Sequence, residues 1–237
     1  MSPSPFPEPI ATSEPARGGY GDLRLFGLTG LEQLRTGLKF LGPRPPVSHL
    51  IGIWFDQIGE GTSAFSMPAS PWLQSPAGVI PGGVLAMLAD APLGTAVHSA
   101  LPPATAYTTA ELSMTFLRPA TVRSGRISAH GQLIHVGRSI GLSETFLYDE
   151  HERMLAHGTS RCYVFPPLDP APDPPPDDYA PEIPSYDTPD PWERPVMGEP
   201  IPQEVWDRME RSPDDARMDR RKVAGSPALL PHGISPG

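Results

Sequence analysis

A single cysteine, Cys162, stands in the whole chain, so an intrachain disulfide is excluded. No apolar run approaches the roughly 20 residues that cross a bilayer. The first residues hold no basic segment followed by an apolar core, so neither a signal peptide nor a membrane anchor is expected. Basic clusters are also missing. Residues 1–165 hold 12 acids and 11 bases, residues 166–200 nine and one, and residues 201–237 six and six. The net charge of −9 therefore belongs to the tail, and a nearly neutral body speaks against a nucleic-acid or membrane-surface binder. A cytoplasmic protein is the expectation.

What is abundant is proline, 34 in 237 residues, crowded at the two ends. Residues 1–19 and 166–237 are too rich in proline and too poor in apolar runs to pack a core. They are expected to be a disordered N-terminus and an extended or disordered tail. Residues 20–165 are left as one globular domain. Within the tail, "IPQEVWDRMER" (201–211) has the pattern of a short amphipathic helix. It reads either as the start of a second unit that the chain does not complete or as part of a solvated extension.

In the body, "LTGLEQLRTGLKFLG" (28–42) repeats Leu31, Leu34, Leu38 and Leu41 at helical spacing. "HLIGIWFDQ" and "TSAFSM" read as a strand pair divided by "IGEG". From Gly82 to about Ser99 the chain is apolar almost all round, the mark of a helix surrounded by protein. Pro92 within it removes one backbone donor and should kink it just after Asp90. In "YTTAELSMTFL", Ala110, Leu112, Met114 and Phe116 alternate with Thr109, Glu111, Ser113 and Thr115. Three more strand-like runs follow with short links. One buried helix against antiparallel strands is an α+β domain in which a sheet wraps a single helix.

The one charge on that helix, Asp90, calls for an explanation, because a buried carboxylate is costly unless it is paired or used. Pairing with a donor or an arginine and chemical use are both open on the pattern alone. Gly82 and Gly83 favour use: backbone N–H groups at a helix N-terminus, with the positive end of the dipole, suit a developing oxyanion, and glycine lets a substrate approach. Gly83 and Asp90 are seven residues apart, about 10 Å along the axis. One carbonyl cannot touch both, so a shared site would take the N–H from one chain and the carboxylate from another.

Three segments in order, "PGGVLAMLADAPLGTAV", "YTTAELSMTFLRPA" and "GQLIHVGRSIGLSETFLYDEHERMLAHGTS", resemble the hotdog-fold thioesterases of the phenylacetic-acid-pathway (PaaI-like) type over roughly 45–165. The resemblance implies a hotdog fold, a homodimer usually paired into a tetramer, and hydrolysis of acyl-CoA thioesters. No cofactor is implied beyond the coenzyme A carried by the substrate. It places Asp90 on the catalytic acid, Gly83 or Gly82 on the oxyanion donor and Thr109 on a position that orients water. It also places "VGR", with Gly137 and Arg138 and next to Ser139, on the contact with the coenzyme A tail. Arg118, Arg123 and Arg126 are further arginines suited to phosphate. Pro81 and Ser75 depart from the family, which often has a histidine and an asparagine there. Two other readings stand beside hydrolysis: a hotdog hydratase or dehydratase, and an acyl-CoA-binding protein with weak catalysis.

Two other patterns point elsewhere. "GRSIG" (137–141) matches G-x-S-x-G, with Asp149 and His157 following. A nucleophile elbow needs strand, turn and helix, and the alternation here continues as strand. The seven histidines include no H-x-x-x-H pair, so no metal site is expected, and Cys162 reads as a core residue.

Overall fold

The computed structural model describes residues 17–19, 21–40, 44–196, 202 and 204–205. Residues 1–16 and most of 197–237, including most of the helix expected at 201–211, lie outside the described residues. Two units are distinguished, 1–197 and 198–237. Everything below concerns the first.

Helix α1 (Gly30–Phe40) opens with reciprocal contacts of Thr29 and Glu32. The carboxylate accepts from the Thr29 N–H at 2.9 Å, and the Thr29 hydroxyl accepts from the Glu32 N–H at 3.3 Å. Helix α2 (Pro46–Ile51) occupies part of the run that reads as strand from its apolar residues. Proline at its first position presets the helical φ, and Gly52, at φ 76°, ends it in the left-handed region. The strand therefore begins only at Trp54.

Six strands form one antiparallel sheet in the order β1-β2-β4-β5-β6-β3. They are β1 (Trp54–Gly59), β2 (Thr62–Pro68), β3 (Tyr107–Phe116), β4 (Arg126–Val136), β5 (Ile140–Tyr148) and β6 (Met154–Val164). Helix α3 (Gly82–His98) packs against the sheet. Leu85, Leu88, Ala89 and Leu93 of α3 meet Phe65, Met67, Ile127, Ala129 and Leu147 in the main core. At about 25 cal/mol per Å² of apolar surface, this contact is the main force holding helix to sheet.

Helix α3 continues through Pro92, which is buried. The carbonyls around the interruption are met by side chains. Ser63 donates to Pro92 O at 2.9 Å, Thr95 to Ala91 O at 2.8 Å and Ser143 to Leu93 O at 2.9 Å. Three hydroxyls thus tie the middle of the helix to itself and to two strands, which fixes the height of Asp90 above the sheet.

Residues 166–196 run extended, with one turn of 3-10 helix at Pro191–Glu193, and pack on the body. Phe165 and Leu168 donate to Ala106 O and Ala104 O at 2.9 and 2.8 Å. Asp190 is buried and accepts from Arg17 and Arg44, both at 3.1 Å.

Candidate functional site

Asp90 lies half-buried on α3, and its Oδ1 accepts a hydrogen bond from the Thr109 hydroxyl at 2.9 Å. Strict alternation along β3 would put Thr109 on the outer face with Glu111. The register shifts between these two residues, with Thr109 opposite Cys162 but Glu111 opposite Arg161. This β-bulge turns Ala110 outward and Thr109 inward, where it meets the helix. Among the described residues Asp90 has no ion pair, and Oδ2 has no protein partner. The structure thus resolves the question of its pairing: the partner is a neutral hydroxyl, not an arginine.

The floor behind this pair is apolar or uncharged. Tyr107 packs against Gly94, where an added Cβ would stand 2.6 Å from the phenol oxygen. Burial pushes the Tyr107 phenol up from its ordinary value, with the nearby Cys162 and Asp90 adding to the effect. Burial likewise raises the Cys162 thiol, in keeping with a packed core residue.

Gly82 and Gly83 are the first two residues of α3, after Pro81, which offers no capping side chain. Val84 and Leu85 donate to Pro81 O, at 3.0 and 3.3 Å, whereas neither glycine N–H has an acceptor among the described residues. The two glycines differ in their surroundings. A Cβ on Gly82 would stand 2.8 Å from the Phe116 ring, while one on Gly83 would meet nothing within 4 Å. Packing therefore explains Gly82, and nothing within the described residues explains Gly83.

The expected coenzyme A contacts are divided between two ends of the sheet. Gly137, Arg138 and Ser139 are exposed in the turn between β4 and β5, where Gly137 donates to Ile140 O at 2.8 Å. That turn shares its end of the sheet with Tyr107 and Val164, since Val164 donates to Ser139 O at 2.9 Å. Ser139 sits between two strands, not before a helix, so the elbow context is absent there. Arg118 lies beyond the far end of β3 and donates to Met154 O at 2.9 Å. The N-terminus of α3 lies at that same end, because Gly82 meets Phe116 and Ile80 donates to Ala120 O at 2.8 Å. One chain therefore keeps Arg138 apart from Gly82 and Gly83.

A cavity of about 1310 Å³ opens beside Asp90, with Met87, Ala91 and Thr95 lining it from the same face of α3. Leu85 and Leu88 of the same helix face the core, at 2% and 0% exposure. Sequence reasoning missed the far wall altogether. It includes His49 of α2 and residues Tyr179, Ile183 and Tyr186 of the proline-rich segment. His49 Nδ1 lies 3.0 Å from Asp190. Burial works against the Asp190 carboxylate, but the His49 hydrogen bond and the charges of His49 and Arg44 hold it below its ordinary value. This His–Asp pair is committed to two arginines, so it serves as a structural clasp. Among the described residues no group of three or more histidine, cysteine or acidic side chains is placed to hold a metal. No described helix is long and apolar enough to cross a membrane.

Residues 77–156 match the model of the thioesterase superfamily. A thioesterase family protein from Silicibacter pomeroyi aligns at 22% identity, covering 55% of this chain and 96% of that one, with a TM-score of 0.50. A thioesterase from Haemophilus influenzae aligns at 27% identity over 57% of this chain and 90% of its own, TM-score 0.49. The PaaI protein of the E. coli phenylacetic acid degradation operon aligns at 20% identity over 52% and 86%, TM-score 0.47. No curated protein matches the chain. A six-stranded antiparallel sheet packed on one long helix, with the match to the thioesterase superfamily model over the segment that carries this helix, gives the body of the chain a hotdog fold.

Proposed function

We propose that the protein hydrolyses acyl-CoA thioesters to the free acid and coenzyme A, with Asp90 as base or nucleophile. The observation that carries this reading is the Asp90–Thr109 pair. A carboxylate on a largely apolar helix keeps one oxygen without a partner among the described residues and faces a cavity, while a hydroxyl fixes the other oxygen at 2.9 Å. A carboxylate retained only for structure would be expected to have a cation or several donors.

The chemistry needs little more. Asp90 either attacks the thioester carbonyl, giving a mixed anhydride that water then hydrolyses to the acid and the free carboxylate, or takes a proton from the water that attacks the carbonyl directly, while Thr109 sets its orientation. The Gly83 N–H, with Gly82 beside it, donates to the carbonyl oxygen and stabilises the negative charge that develops there. Coenzyme A departs as a thiolate, which lessens the need for a general acid, and no cofactor takes part.

The spacing of about 10 Å between Gly83 and Asp90 supports a homodimer in which each site takes its glycine from one chain and its carboxylate from the other. β3, which carries Thr109, is an edge strand bonded only to β6 in the described sheet. A second copy docked along that edge would bring its own α3 N-terminus towards Asp90. Such a dimer would also bring the Arg138 turn of one chain nearer the glycines of the other, in a site that binds the coenzyme A tail with Gly137, Arg138, Ser139 and Arg118. A dimer of dimers is the expected assembly.

The test is free-thiol release from aromatic, short and longer acyl-CoAs by wild type and Asp90→Asn, each shown to be the same oligomer. Turnover that falls by two or more orders of magnitude in Asp90→Asn supports the reading. Binding of acyl-CoA without turnover by wild type refutes it in favour of a binding protein. Hydration of enoyl-CoA without thiol release refutes it in favour of a hydratase.

A further inference from the structure

The proline-rich segment 166–196 is held at both ends and passes over the cavity between them. Its start is bonded to Ala104 and Ala106. Next, Pro172 and Pro174 press on Gly27, where a Cβ would stand 2.6 Å from both Pro172 O and Pro174 N. Tyr179 lies under the Arg24 guanidinium, 5.6 Å from ring centre to Cζ. At the far end, Tyr186 accepts from the Gly18 N–H at 2.7 Å and meets the His49 ring edge-on at 5.1 Å. Asp190 then closes the clasp with Arg17, Arg44 and His49, and Ser70 donates to Trp192 O. The Trp192 ring lies against Gly52.

Between these anchors, residues 179–184 form a wall of the cavity that contains Asp90. Twelve of the 31 residues in 166–196 are proline. Such a chain has few conformations to lose, so holding it as a wall costs less entropy than holding an ordinary loop. Much of the remaining lining is apolar, with Leu38 of α1, Ile53 and Phe55 at β1 and Met87 beside Asp90, while Arg24, Gln33 and Arg44 add polar groups. At about 1310 Å³ the cavity exceeds the roughly 300–1000 Å³ usual for drug-sized ligands.

We infer that segment 166–196 is a fixed wall of the acyl-binding chamber, and that the chamber takes a large apolar acyl group, bigger than a short-chain or phenylacetyl unit, with its carbonyl end at Asp90. This rests on the thioesterase reading for the identity of the bound group, but the wall itself rests on the contacts above. A short acyl group would leave most of the apolar lining in contact with water. Each further buried methylene should therefore raise kcat/KM by about fourfold, from about 0.8 kcal/mol per CH2.

The experiment uses the full chain and compares kcat/KM for butyryl-, phenylacetyl-, octanoyl- and dodecanoyl-CoA. Binding of free dodecanoic acid is measured in parallel by calorimetry. Two variants probe the wall. Asp190→Ala removes the carboxylate that gathers Arg17, Arg44 and His49. Ile183→Lys leaves that clasp intact, alters a residue that is 55% exposed, and puts an ammonium at the chamber wall. The dodecanoyl-to-butyryl ratio is expected to exceed about 100 in wild type, since at about fourfold per methylene the burial of only four of the eight added methylenes takes it past that value. It should fall at least tenfold in both variants, with dodecanoate binding weakened in step.

If Asp190→Ala fails to fold, Ile183→Lys alone decides. A flat or falling chain-length profile in an active wild type overturns the chamber inference while leaving thioester hydrolysis standing. Dodecanoate binding that depends on Ile183, in a protein that turns over no acyl-CoA, supports the chamber and overturns the hydrolysis reading. Ratios and binding unchanged in the variants overturn the wall.

Discussion

Replacing Gly83 by alanine separates what this glycine does for the fold from what it does for a substrate. Glycine in a helix costs roughly 0.5–1 kcal/mol relative to alanine, because it has more backbone freedom to lose. At Gly83 the added Cβ meets nothing within 4 Å, so no steric cost offsets the gain. Gly83→Ala should therefore stabilise the domain by about 0.5 kcal/mol, a rise of about 1–2 °C in Tm for a domain of this size. Gly82→Ala makes the opposite case. Its Cβ would lie 2.8 Å from two atoms of the Phe116 ring, so the ring or the helix must move and Tm should fall.

Activity should run against stability at Gly83. If a thioester carbonyl approaches this backbone, a methyl group there obstructs it, and kcat/KM should drop at least tenfold in the stabilised variant. Gly83→Pro adds a second reading. Proline is tolerated in the first turn, where the lost N–H has no helical acceptor, yet it deletes the donor itself. Loss of one oxyanion donor costs about 100- to 1000-fold in kcat. The assays are thermal unfolding followed by circular dichroism and thiol release from the best acyl-CoA. Full activity in Gly83→Ala and Gly83→Pro would refute the oxyanion role. Marked destabilisation of Gly83→Ala would show that the space beside this glycine is filled in the assembled protein.

Thr109→Val keeps the shape of the side chain but removes the hydroxyl 2.9 Å from Asp90. Hydrogen bonds to charged groups contribute about 1.5–3 kcal/mol, so kcat should fall about 10- to 100-fold with KM little changed, and Thr109→Ser should restore it. An equal loss in both variants would deny the hydroxyl a positioning role. His98, buried and 3.2 Å from Gln33 Oε1, is held down to about 4 from an ordinary 6.5 by its burial. The unfolded chain then takes up a proton near pH 6.5 and the folded one only near 4. The stabilisation is thus full above pH 6.5 and is lost as pH falls towards 4, about 3 kcal/mol over the window. Urea unfolding of wild type and His98→Leu across that range should show the wild type losing this much more, and parallel curves would refute it.

The central helix could be read from its even apolar pattern, and the strands from their alternation, because both follow from burial against neighbours close in space. What alternation could not supply was the phase of β3. Ala110 looks like an inward residue and Thr109 an outward one until the bulge is known, and a bulge leaves no mark in the pattern of apolar and polar residues. The helix at Pro46–Ile51 was hidden for a related reason. Its residues are apolar enough for a strand, and the signals that decide against one are the proline before it and the glycine after it. The clasp on Asp190 was beyond reach, since Arg17, Arg44 and His49 lie more than 140 residues away in sequence.

The bulge and the clasp bear on the site in different ways. The bulge supplies the Thr109 contact on which the proposed role of Asp90 rests. A carboxylate facing arginine would be held in an ion pair, whereas a single hydroxyl orients it and leaves its second oxygen open to a ligand. The clasp acts at a distance. It holds a stiff segment across a cavity whose walls are otherwise helix and sheet, and so changes what fits against Asp90 without touching it. On the proposed reading, reactivity and selectivity are therefore encoded in separate parts of the chain. A change at Thr109 should alter kcat for every acyl group by the same factor, while a change at Asp190 should alter the ratio between acyl groups.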